Sequence, residues 1–282
     1  STFKTMSIKS KKIKNLLITG GTSGIGLEII RKLADQNFNI LTCARSKKKL
    51  VQIKKEFKEI KIFKCDVSKE SNVKKLFDFS KKNFKSIDII INAAGIYGEI
   101  EKIENSNFKR WKKAIEVNFF GTYLICKYFI PLLKVSKVKK IINFSGGGAF
   151  NSFPNYSAYA TSKAALVRFS ETLASEVKKD KILVNCIAPG FVATPLHKAT
   201  ISAGSKKAGK KFLAFTKKKL KKNSVPIEVP VKCVEFLISS KSKNLTGKTI
   251  SASFDEWHTK KFQNKISSYN KSDIFTMRRV NP

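Results

Sequence analysis

Histidine is almost missing: two residues, His197 and His258, in a chain of 282. With five cysteines and no C-x-x-C spacing, a His/Cys metal centre is not expected. Cys43, Cys65, Cys126, Cys186 and Cys233 are odd in number, and most sit in apolar runs. They read as small core residues of a reducing compartment rather than a disulfide frame, so the expected location is cytoplasmic. No apolar run approaches the roughly 18 residues of a membrane span, so no membrane partner is expected. The first 15 residues lack the apolar stretch of a signal peptide.

Acidic residues are also scarce. Twenty Asp and Glu face 57 Lys and Arg, a formal net charge of +37. Such a balance raises nucleic acid, anionic lipid or an acidic carrier protein as partners. Arginine, however, accounts for only six of the basic residues, and bidentate base recognition leans on arginine. The lysines are spread along nearly the whole chain, as on solvated helix faces. Ile, Asn and Phe are abundant too, as an AT-rich genome writes them. No nucleic-acid partner is expected. The positive field should still attract phosphorylated or carboxylated ligands, and salt should weaken that attraction.

What is present is a core of strands and helices in alternation. Apolar runs at 15–19, 38–43, 61–64, 87–91, 138–144, 182–187 and 249–252 read as strands. Helical patterns lie between them, the longest at about 108–133 and 158–177. Alternation of this kind gives right-handed crossovers and an α/β fold, a doubly wound parallel sheet in one domain. Residues 1–13 read as a basic tail, 14–253 as the domain with a mobile lid near 193–225, and 254–282 as an extension.

The segment Gly20-Gly21-Thr22-Ser23-Gly24-Ile25-Gly26 joins the first strand to the first helix. Glycine lets a backbone approach a pyrophosphate closely, and the following helix aims free N–H groups at it. An acid ending strand two would hold an NAD ribose hydroxyl; here the strand ends Thr42-Cys43-Ala44-Arg45-Ser46. Arg45, with Lys47 and Lys48 close by, points to NADP(H), with NAD(H) as the alternative.

The T-G-x-x-x-G-x-G spacing resembles the short-chain dehydrogenase/reductase family. The resemblance runs over about 14–253 through Asn92-Ala93-Ala94-Gly95, Asn118, Tyr159-x-x-x-Lys163, and Pro189-Gly190 with Thr194. It implies an NAD(P)-dependent oxidoreductase acting on a carbonyl or alcohol. In the family, Tyr159 passes the proton and Lys163 holds the nicotinamide ribose. Asn118 supports a water relay to that lysine. The resemblance also gives Asp66 and Val67 to the adenine, and Val192 and Thr194 to the carboxamide and phosphates. A neighbouring ammonium and an oxidised nicotinamide are expected to lower the Tyr159 pKa.

The match falters at the substrate-orienting serine. The family places it about thirteen residues before the tyrosine, where this chain has Gly146; Ser145 lies one earlier. Ser145 turned into the site, another donor such as Asn151, Ser152 or a backbone N–H, and a cofactor-binding regulator without turnover all stay open. His197, Phe212, Phe215 and many lysines mark the lid, with a cationic grip on an anionic substrate as one reading. Asp255, Glu256, Trp257 and His258 raise a polar, sugar-like substrate; alternatively Trp257 only pins the tail down. A 3-oxoacyl-carrier-protein reductase is a further alternative. In the family the two long helices pair subunits, so a homotetramer or homodimer is expected.

Overall fold

The computed structural model describes residues 13–279, so the reading of 1–13 as a basic tail lies, except for residue 13, outside the described residues. Seven parallel strands form one sheet in the order β3-β2-β1-β4-β5-β6-β7. They are β1 (Lys14–Thr19), β2 (Phe38–Ala44), β3 (Lys61–Lys64), β4 (Ile89–Asn92), β5 (Lys140–Phe144), β6 (Leu183–Ala188) and β7 (Lys248–Ser251). Leu16, Leu17 and Ile18 of β1 are fully buried, as an unalternating apolar run requires when helices cover both faces. The strand order reverses beside β1. Its last residue, Thr19, is in register with Cys43 of β2 on one side and Asn92 of β4 on the other. A crevice at such a reversal, beyond the carboxyl ends of the strands, is where these sheets bind ligands.

Helices α1 (Gly24–Ala34), α2 (Lys47–Glu56) and α3 (Glu70–Asn83) follow the first three strands. Ser46 caps α2 by accepting from Lys49 N–H at 3.3 Å. The long helix expected at 108–133 is in fact two. Helices α4 (Phe108–Ile115) and α5 (Gly121–Lys134) are joined by a π-helical turn, Glu116–Phe120. The extra residue of a π turn re-aims the side chains within it, which hydrophobic periodicity cannot reveal. Helix α6 (Ser157–Glu176) follows β5.

The 193–225 segment is not a structureless loop. It folds into α7 (Lys198–Ala208) and α8 (Lys210–Lys221), separated by Gly209 at φ 81°. Helix α9 (Glu228–Ile238) then packs beneath the sheet near α1. The extension adds α10 (Lys260–Asn264) and α11 (Ile266–Asn270). Trp257, Phe262 and Ile266 are buried in the same apolar cluster as Phe236 of α9 and Ile250 of β7. All five cysteines are buried and unpaired.

Candidate active site

The crevice at the strand reversal is a cavity of about 630 Å³. Its floor is the glycine turn. Gly20 has φ 72°, and a Cβ there would stand 2.7 Å from Cα of Ala94, so β1 and the β4 loop approach as only glycine permits. A Cβ on Gly26 would meet the Gly20 carbonyl oxygen at 2.6 Å, so α1 is held tight on the turn. Thr19 adds a tie, accepting from the Ala94 N–H at 3.3 Å. Ser23 caps α1 in extended conformation, and its side chain makes no capping bond among the described residues. Ser23 and the first turn of α1 line the cavity, and the N–H groups of a first turn have no partner within their own helix.

At one end of the cavity lie Arg45, Ser46 and Lys49, with Asp66 and Val67. Lys47 and Lys48 are not on its wall; the α2 cap at Ser46 brings Lys49 there instead. Asp66 accepts from the Ser68 N–H at 3.1 Å and the Ser68 hydroxyl at 2.6 Å. Lys113 stands 3.5 Å from its carboxylate. Although burial opposes them, these bonds and the nearby Lys113 and Arg45 charges hold the Asp66 carboxyl below its usual range.

At the other end lie Ser145, Tyr159 and Lys163, with Ile96, Pro195 and Leu196. Tyr159 and Lys163 are one turn apart on α6 and both buried. The Lys163 amine is 5.6 Å from the Tyr159 ring centre and donates to the Phe144 carbonyl at 2.6 Å. Burial pushes the Lys163 amine down to about 8 and pushes the Tyr159 phenol above its ordinary value. The expected lowering of the Tyr159 pKa is therefore not a property of the protein alone. Desolvation outweighs an ammonium whose bond goes to a carbonyl.

Asn118 sits in the π turn, fully buried. Its amide nitrogen donates to the Ile96 carbonyl and the Ser162 hydroxyl, each at 2.9 Å, and its oxygen accepts from the Ile96 N–H at 2.9 Å. It thus clamps the β4 loop to α6. Asn118 does not line the cavity, yet a Cβ on Gly95 would have Asn118 Oδ1 at 3.5 Å and the Lys163 amine at 3.7 Å.

Asn92 is also off the cavity wall. It donates to Asn143 Oδ1 at 2.9 Å and so bridges β4 to β5. Pro189 and Thr194 face the cavity, whereas Gly190 and Val192 are set back from it. Gly20, Thr22, Ser23, Gly24, Ile25, Gly26, Ala93, Ala94 and Gly95 all line it. Lys49, Ile96, Pro195 and Leu196 are additions. Only Lys49 had a sequence signal, a capping Ser three residues before it.

Ser145 is buried, and its hydroxyl finds no hydrogen-bond partner among the described residues. Gly146 is where the tyrosine rests: a Cβ there would stand 2.3 Å from the Tyr159 hydroxyl oxygen. Above the tyrosine is an aromatic cap. Tyr97 meets Tyr159 edge-on at 4.8 Å, and Phe153 stacks on Tyr156 at 4.3 Å. Phe212 of α8 closes on both Phe153 and Tyr156. His197 stacks on Phe191 at 4.0 Å, and its Nδ1 lies 3.1 Å from the Tyr97 hydroxyl. Burial lowers the His197 pKa, against a backbone bond to Val192 that raises it.

Asp255, Glu256, Trp257 and His258 do not line the cavity. Trp257 packs on Phe236 and donates to the Ala252 carbonyl at 3.0 Å. Asp255 accepts from the Ser251 N–H at 2.7 Å. Trp257 and Asp255 tie the start of the extension to the domain, and the sugar-like reading loses the feature that suggested it.

Residues 14–205 match the short chain dehydrogenase family. The chain belongs to that family. A tropinone reductase homolog of Datura stramonium is 33% identical over 242 residues, covering 83% of this chain and 88% of that one. The benzil reductase ((S)-benzoin forming) of Saccharomyces cerevisiae is 31% identical over 194 residues, covering 66% of this chain and 74% of that one. Ligand-free aldohexose dehydrogenase of Thermoplasma acidophilum superposes with a TM-score of 0.72 at 25% identity, covering 85% of this chain and 92% of that one. Short chain dehydrogenases use NAD(P)(H), and this chain is an NAD(P)-dependent oxidoreductase of that family. Among the described residues, no helix is long and apolar enough to cross a membrane.

Proposed function

We propose that the chain is an NADP(H)-dependent carbonyl reductase whose substrate is a neutral, mostly apolar ketone or diketone. One observation carries this reading. The cavity runs from Arg45 and Lys49, over the glycine turn and the start of α1, to Tyr159 and Lys163. Two cations and no carboxylate at the end of β2 favour a 2′-phosphate over a bare ribose. Asp66, the carboxylate near them, is already engaged by Ser68 and Lys113.

When bound, the nicotinamide supplies or accepts the hydride. The protein's part is to hold the substrate oxygen at the Tyr159 hydroxyl, which gives or takes the proton. Lys163 sets a positive charge beside that phenol. Ser145, a buried hydroxyl without a protein partner, is available to donate to the same oxygen. Asn118 positions Ile96 and α6 rather than touching substrate.

The substrate end supports the apolar class. Ile96, Pro195 and Leu196 line it, and the rings of Tyr97, Phe153, Tyr156 and Phe212 back it. Lys207 of the lid is paired with Glu101 at 3.5 Å. Subunit pairing belongs to the same reading. Phe120 and Tyr123, beside α6, are 45% and 42% exposed, an apolar face suited to a second copy.

The deciding experiment is a screen of NADPH oxidation against aryl ketones, diketones, hexoses and 3-oxoacyl thioesters, with Tyr159→Phe as the blank. Turnover of the apolar ketones alone is expected. Preference for hexoses or 3-oxoacyl thioesters would replace the substrate class. Tight NADPH binding with no turnover anywhere would replace the enzyme reading with a regulator.

A further inference from the structure

The loop that carries Ser145 and Gly146 has few side chains to fix its backbone. Gly146, Gly147 and Gly148 follow one another, and glycine has the most backbone freedom to lose on ordering. Yet Gly146 must stay where it is for the Tyr159 hydroxyl to rest above it. Within the loop, the Ala149 N–H donates to the Gly146 carbonyl at 3.3 Å. What lies on Ala149 therefore bears on the site.

Met277, in the extension, packs against the cluster of Ala149, Val167 and Cys186. Val167 is one helical turn beyond Lys163 on α6. The tail is latched at this point. Glu171, whose side chain is 9% exposed, accepts from the Met277 N–H at 2.6 Å and pairs with Arg168 at 2.6 Å. Arg168 also donates to the Met277 carbonyl, and Arg278 stands 3.6 Å from Glu171 and 2.8 Å from Asp273. Upstream, the Phe275 carbonyl accepts from the Thr249 N–H at 2.8 Å, and the Ser272 carbonyl accepts from Lys248 at 2.6 Å. None of these tail residues falls in the 14–205 segment that matches the family.

We infer that residues 272–279 are a strap which, through Met277 on Ala149, positions the 145–149 loop under Tyr159. Met277 is a positioning residue; it touches neither the cavity wall nor the reacting groups. The strap's hydrogen bonds run to α6 and β7, on the substrate side of the sheet, whereas Arg45 and Lys49 line the other end of the cavity, so its effect falls on the substrate end. It takes the place of the ordering that the three glycines give up. The inference rests on the carbonyl-reductase reading only for its effect on turnover.

The test uses the full chain with Met277→Ala, Met277→Leu and Arg278→Ala, the last loosening the latch from the solvent side. Amide hydrogen exchange over 145–149, NADPH titration by fluorescence, and kcat and KM with the best ketone of the screen are measured together. In Met277→Ala, exchange over 145–149 should speed up by about tenfold. The kcat should fall about fivefold or more, as misplacement near the chemistry does. NADPH affinity should stay within about twofold, since uniform binding is untouched. Met277→Leu should restore both exchange and kcat, and Arg278→Ala should fall between. Unchanged protection over 145–149 in Met277→Ala would overturn the strap, as would a lower melting temperature with kcat intact. If the unaltered protein reduces no ketone, the carbonyl-reductase reading fails by itself. The exchange of 145–149 then decides the strap alone, in the same two directions.

Discussion

Gly146 and Tyr159 share one space: a Cβ on Gly146 would stand 2.3 Å from the Tyr159 hydroxyl oxygen. The tyrosine cannot simply move aside, because Tyr97 meets its ring edge-on at 4.8 Å and Phe153 at 6.4 Å. Gly146→Ser puts back the residue type that the family usually has here. In this chain it should lower kcat/KM by about tenfold or more, by displacing the phenol from its position. Steady-state kinetics with the best ketone checks this. Activity equal to or above that of the unaltered protein would mean the tyrosine has room that the aromatic cap denies it.

Ser145 is the remaining hydroxyl at the strand end. Its oxygen is buried with no partner among the described residues, an arrangement a folded protein rarely keeps without use. Ser145→Ala should reduce kcat/KM by about 10²-fold, the scale for losing one preorganised donor, with little loss of stability. An unchanged kcat/KM removes Ser145 from the chemistry and leaves the backbone N–H groups of the loop as donors.

Arg45→Ala should weaken NADPH binding while leaving NADH nearly as before. A charge-assisted contact to phosphate is worth about 1.5–3 kcal/mol, so roughly ten- to a hundredfold of the preference should go. Lys49→Ala should do the same to a smaller extent. Titrations of both nucleotides at low and at physiological salt give the answer. An unaltered NADPH-to-NADH ratio in Arg45→Ala would return the choice of cofactor to NAD(H).

Lys163 makes a prediction for stability against pH. Its amine is pushed from the ordinary lysine value of 10.5 down to about 8 in the folded chain. Between these values the unfolded chain binds the proton and the folded chain does not, so this group's contribution to stability rises with pH. Below about 8 the burial cost of the charged amine is present in full. Lys163→Met removes that cost. Its urea midpoint, compared with the unaltered protein at pH 7.5 and pH 10, should show the unaltered protein gaining on the variant at the higher pH. A gap that is constant, or that widens in favour of the variant, contradicts the assigned direction.

Asn118→Ala tests the clamp. It leaves the partly buried Ile96 N–H and carbonyl and the buried Ser162 hydroxyl without this partner. Each unsatisfied group costs about 1–3 kcal/mol, so thermal unfolding should occur several degrees lower. Exchange at Gly95 and Ile96 should rise as well. Asn118→Asp keeps the acceptor but loses the donor, and should recover only protection at the Ile96 N–H.

Much of the site could be read from local spacing. The glycine turn, Tyr159 with Lys163, and the bare end of β2 at Arg45 each depend on residues within one turn or one strand of each other. Geometry of that range is dictated by φ/ψ and by the helical repeat. What spacing did not show was how elements begin, turn and pack. Lys49 reaches the cavity because Ser46 starts α2 there, whereas Lys47 and Lys48 do not. The acids, tryptophan and histidine at 255–258 are close in sequence to the end of β7, but packing on Phe236 turns Trp257 beneath the sheet. Asn118 lies in a π turn, and a single extra residue inside an otherwise apolar helix leaves no mark on the hydrophobic period.

The sequence by itself determined the alternation of strands and helices, the parallel sheet and the glycine turn, because burial periodicity and glycine geometry are local properties. Only the tertiary structure decided that Tyr159 rests over Gly146, that burial raises the phenol and lowers Lys163, and that Met277 packs against the cluster of Ala149, Val167 and Cys186. Those outcomes depend on desolvation and on contacts between separate elements, in the case of Met277 more than a hundred residues apart, and neither is encoded at any single position.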